Sequence, residues 1–77
     1  EENQEEEEKN LDTTLLLEPN NEEAIYMLIN IQLDRSNFDK ANTLMDRFAS
    51  VCKKMCNKKK EISKSLQDFE ANNEKTN

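Results

Sequence analysis

The 77 residues contain no glycine, no histidine, no tryptophan and one proline. Average glycine usage of about 7% would give roughly five in a chain this long. Their absence excludes a P-loop, a dinucleotide fingerprint and an Asn-Gly hairpin, each of which needs positive φ or close backbone approach to a phosphate. Without histidine the commonest general base and the commonest metal ligand are both missing. No apolar run approaches the ~18 residues of a membrane span, and no signal-peptide core is present. An intracellular setting, cytoplasmic or nuclear, is the default expectation. The first residue is Glu1 rather than methionine, as expected of a processed product or a piece of something longer.

What is present is charge, at 36% of residues, with a net charge of -6 and 34% apolar residues. The acidic balance argues against wholesale nucleic-acid binding, and the small apolar fraction makes a thin core. The charge is segregated. Residues 1–23 carry ten acids and one base, residues 24–52 balance three against three, and residues 53–64 carry six lysines and Glu61. The first ten residues, EENQEEEEKN, hold no apolar side chain and are expected to be a disordered acidic head. Residues 72–77 read as a polar tail.

Between these ends the pattern is helical. Leu11, Leu15, Leu16 and Leu17 follow a glutamate-rich turn that suits a helix N-terminus. Three leucines after Thr13 and Thr14 also fit a strand, but no other segment offers a strand to pair with. Pro19 stops the helix, because the residue before proline is pushed out of the helical region. Asn20 or Asn21 then caps a second helix with Glu22 and Glu23 in its first turn. Its Ala24, Ile25, Leu28, Ile29, Ile31 and Leu33 form a stripe broad enough to be packed on both sides. A polar break at Asp34, Arg35, Ser36 and Asn37 precedes a third helix from Phe38, with Ser36 or Asn37 as its cap. The expected class is all-α, built on an antiparallel helical hairpin.

The segment from residue 11 to residue 52 resembles a tetratricopeptide repeat, a 34-residue helix-turn-helix unit. Ile25 and Leu28 match the family's W-x2-L pair, Ala41 and Met45 match A-x3-F, and Phe38-Asp39-Lys40-Ala41 is similar to its turn. LLLEPNNEEA resembles the junction between repeats. The chain departs from the pattern at Ile29, Gln32, Ser36, Phe48 and Lys53, where the family prefers small, aromatic, glycine, small and proline residues respectively. The resemblance implies a solenoid fragment of about one and a half repeats, and a scaffold function through protein partners or neighbouring repeats. Chaperone-binding members clamp a carboxylate from their first helices. The matching positions here are Glu23, Tyr26, Met27 and Asn30; Glu23 would repel such a ligand, which disfavours the clamp.

Beyond residue 52 the repeat does not restart. Phe38, Ala41, Met45, Phe48, Cys52, Met55, Lys59, Ile62, Leu66 and Phe69 instead step by three and four in a heptad-like seam with one interruption, Lys59. Either one helix runs about 50 Å, or the chain bends at Asn57 and a further helix caps the repeat. The bend is favoured, because the lysines dilute the stripe at 57–60. The expected organisation is a head at 1–10, a repeat-like segment at 11–56, a basic amphipathic helix at 57–71 and the tail.

Chemistry has little to stand on, and neither an enzyme nor a cofactor is expected. Cys52 and Cys56 share a helical face but lack further ligands for structural zinc, and a regular helix does not offer disulfide geometry. Free thiols in a reducing compartment are expected. The candidate protein-binding residues are Tyr26, Met27, Asn30, Met45, Phe48, Met55, Ile62, Leu66 and Phe69. Lys53, Lys54, Lys58, Lys59, Lys60 and Lys64 form a candidate basic patch. Its alternative reading is a basic amphipathic helix for nucleic acid, anionic lipid or a calmodulin-like partner, with Phe48, Met55 and Ile62 on its apolar face.

Overall fold

The computed structural model describes the backbone of residues 2–75 and the side chains of residues 3–68. The described chain forms α1 (Glu2–Leu17), α2 (Glu22–Asp34), α3 (Phe38–Val51) and α4 (Lys58–Lys75), with no strand. The class is all-α. Helix α2 is central, packing most extensively on α3 and then on α1, while α4 packs on α3.

The centrality of α2 follows from its composition. Ala24, Ile25, Leu28, Ile29, Ile31 and Leu33 are all buried, as is Gln32. Leu11 and Leu15 cover one side of the helix, and Ala41, Leu44 and Phe48 belong to the same core with Ile62 and Leu66 of α4. Ala41 is fully buried, and its small side chain suits close approach of α2 and α3.

Local chemistry sets the boundaries. Asn21 caps α2, its Oδ1 accepting from the Ala24 amide at 3.0 Å. At the other end Ser36 stands at φ 58°. The Ser36 amide donates to Leu33 and the Asn37 amide to Gln32, the paired bonds of a left-handed helix stop that ordinarily uses glycine. Serine holds this left-handed position at a conformational cost. Asn37 precedes α3 without a side-chain cap bond; its Nδ2 instead donates to Gln32 Oε1 at 3.1 Å.

Three expectations are corrected. Residues 2–10 are helical rather than disordered. The stretch carries no apolar side chain, and a polar node centred on Glu8 ties it to α2 and α3. Gln32 Nε2 donates to Glu8 Oε2 at 2.7 Å, Arg35 Nη1 to Glu8 Oε1 at 2.6 Å, and Lys40 lies at 3.4 Å. Arg35 also bonds Gln4. Hydrogen bonds from Arg35 and then Gln32 hold the Glu8 carboxyl below the ordinary value of 4.5. Secondly, α4 runs to Lys75, so residues 72–75 belong to it rather than to a tail.

Thirdly, Cys52 and Cys56 are joined by a disulfide, with Cα atoms 5.2 Å apart. The free-thiol expectation assumed a helix through both residues. Helix α3 ends at Val51, where Cys52 turns to ψ 144°, and residues 52–57 form the bend before α4. The inference of a reducing compartment that rested on free thiols loses its footing.

Candidate interaction surface

Three successive leucines on a helix point about 100° apart, so Leu15, Leu16 and Leu17 cannot all enter one core. Leu15 is buried, while Leu16 and Leu17 are 82% and 80% exposed. The Thr13 and Thr14 hydroxyls are satisfied within the helix, donating back to the Lys9 and Asn10 carbonyls at 3.0 Å. The Glu18 amide closes the last turn on the Thr14 carbonyl at 2.7 Å. Arg47 Nη2 of α3 then donates to the Pro19 carbonyl at 2.8 Å, tying the α1–α2 connection to α3.

Beside Leu16 lies an open groove of about 420 Å³ between α1 and α3. Leu15, Leu28 and Leu44 line its apolar part, and Lys40, Arg47 and Asp12 supply its polar groups. The arrangement suits packing of another amphipathic helix, since an apolar strip flanked by charges is what such a helix matches.

The nine candidate binding residues divide. Phe48, Ile62 and Leu66 are buried within the core and are corrected as contact residues: the bend turns the seam inward, onto the chain's own helices. Met45 and Met55 are half-buried against that core. Tyr26 is half-buried, its ring 6.1 Å from that of Phe48, with Lys58 Nζ 5.9 Å from its centroid. Met27 and Asn30 lie on the other side of α2, lining a shallow depression with Gln4 and Glu7 of α1. The side chain of Phe69 lies outside the described residues.

The six lysines spread over the bend and the first two turns of α4. Lys53, Lys54, Lys60 and Lys64 are exposed, whereas Lys58 and Lys59 are half-exposed. Lys58 pairs with Glu61 at 3.3 Å. The apolar face that a calmodulin-like partner would grip is occupied, because Phe48 and Ile62 are internal.

Sequence reading missed the contact that shapes the bend. The carboxylate of Glu22 accepts from the amides of Lys53, Lys54 and Met55 at 2.9, 3.2 and 2.9 Å. Consecutive amides converging on one anion form a nest. The Lys53 and Met55 amides are the main reason the Glu22 carboxyl lies below 4.5. A contact spanning 31 residues leaves no local signal.

Among the described residues no group of three or more cysteine, aspartate or glutamate side chains could hold a metal. No described helix is long and apolar enough to cross a membrane. Together the fold and surface define a small all-α array with an apolar edge. No family model, curated protein or solved structure matches the chain.

Proposed function

We propose that this chain is a non-enzymatic protein-interaction or scaffold segment of a larger helical-repeat protein, acting through helix packing. The supporting observation is the exposure of Leu16 and Leu17 on α1, with Leu16 on the wall of the groove shared with α3. Two adjacent leucines in water forgo roughly 1.5–3 kcal/mol each of burial, and a neighbouring helix laid on this edge would recover part of it. The resemblance to a tetratricopeptide repeat fits this reading, since such units stack and about three are needed for a stable array.

The test is titration of the oxidised protein with a designed leucine-glutamate amphipathic peptide, followed by methyl NMR. The reading expects shifts at Leu15, Leu16 and Leu44, weaker binding of a leucine-lysine peptide beside Lys40 and Arg47, and loss of binding in a Leu16→Ser/Leu17→Ser variant. Absence of binding, or binding that the double variant leaves intact, overturns it.

A further inference from the structure

The bend between α3 and α4 is closed by two devices. The Cys52–Cys56 disulfide spans it, and the Glu22 carboxylate gathers the amides of Lys53, Lys54 and Met55. Neither is compatible with a continuous helix. Side chains at i and i+4 on a helix hold their Cβ atoms about 5–6 Å apart, whereas a disulfide needs roughly 3.5–4.5 Å. The three amides given to Glu22 are those a continuous helix would give to the carbonyls of Ala49, Ser50 and Val51.

The sequence across the bend nevertheless supports a helix. No glycine or proline occurs anywhere between Phe38 and Lys75. The three-four spacing carries through the bend at Cys52 and Met55 and resumes at Ile62 and Leu66, with Lys59 as its one charged position. Straightening would convert three carboxylate bonds into three helical ones, and its main penalty is the separation of α4 from the core. Ile62 and Leu66, 2% and 6% exposed in the closed form, would leave the cluster around Phe48. An equivalent α4 fits the vacated site with the same side chains, and a second copy supplies it.

We propose that the Cys52–Cys56 disulfide gates exchange of α4 between two copies of this chain. With the bond closed, α4 lies on its own α3. When a dithiol opens it, residues 52–57 join α3 and α4 into one helix and each α4 docks on the partner copy. The chemistry is thiol-disulfide exchange: the cystine S–S bond breaks, two electrons and two protons pass from the dithiol, two cysteine thiols form, and the reductant closes to its own cyclic disulfide. Exchange of an identical element is a low-cost route to a dimer, because the interface already exists within the monomer.

Sedimentation velocity and circular dichroism of the full chain, with and without dithiothreitol across a concentration series, test the gate. The expected result is a monomer when oxidised, and when reduced a dimer with a gain of about six helical residues, one for each position of the bend. A Cys52→Ser/Cys56→Ser variant should dimerise without reductant. A Lys53→Gly/Lys54→Gly variant keeps the amides that Glu22 uses but weakens a helix through the bend. It should lower the dimerisation constant of the reduced protein by roughly a hundredfold, about tenfold per chain. A reduced chain that stays monomeric, an oxidised dimer, or a dimer without helix gain overturns the proposal. Loss of the dimer in a Leu16→Ser/Leu17→Ser variant also overturns it, since that assigns association to the α1 edge.

Discussion

Replacing Glu8 with alanine should release the first half of α1 while leaving the rest of the fold in place. Gln32 is 1% exposed, and its Nε2 would lose its bond to Glu8. An orphaned buried donor costs about 1–3 kcal/mol. The Arg35 contact is the shorter at 2.6 Å, but its partners are 32% and 17% exposed, so solvent screening limits it to about 1 kcal/mol. The combined loss is roughly 2–3 kcal/mol, and it falls on a stretch with no apolar side chain to share it. Helix nucleation is costly and short isolated helices are marginal, so residues 2–10 should fray rather than shift. Amide hydrogen exchange reads this directly. Protection at Glu5–Lys9 should collapse in Glu8→Ala, remain partly in Glu8→Gln, and persist at Ile25–Ile31 in both. Unchanged protection at Glu5–Lys9 in Glu8→Ala would refute the node as the cause of order.

Three further outcomes are expected. Ser36→Gly relieves the positive φ of 58° at some entropic cost; a net gain of ~0.5–1 kcal/mol should raise the melting temperature by roughly 3–6 °C. Phe48→Ala, at a fully buried position, should lose about 3–5 kcal/mol, whereas Leu16→Ala and Leu17→Ala should each stay within about 0.5 kcal/mol, as urea titration would show. Glu8 and Glu22 both have carboxyl groups held below 4.5 when folded. Their contribution is therefore present above that pH and lost as pH falls through the lower folded values. Melting temperature should hold from pH 7 to about 5 and drop below about 4.5, with a smaller drop in Glu8→Gln/Glu22→Gln.

Much of the architecture was legible because it is local. Pro19 ends α1, Asn21 caps α2, and the polar run at 34–37 separates α2 from α3. The broad stripe of α2 places it at the centre. The N-terminal half of α1 was not legible, because its order comes from Gln32 and Arg35, 24 and 27 residues away. The disulfide was hidden by the same regularity that suggested a continuous seam: two cysteines four apart bond only where the helix has already stopped. On the candidate surface, Met27 and Asn30 lie on the α1 side of α2, but Phe48, Ile62 and Leu66 are turned inward by the bend. The exposed leucines were implicit in three consecutive apolar residues, since a helix can bury only one side of such a run.

The molecule sets an open leucine edge beside a closed core. Methyl relaxation of the oxidised protein by a soluble paramagnetic agent measures that contrast residue by residue. Leu16 and Leu17 should relax strongly, with the buried Leu15, Leu28 and Leu44 shielded. Shielding of Leu16 and Leu17 to the level of Leu28 would contradict an edge left open for another helix.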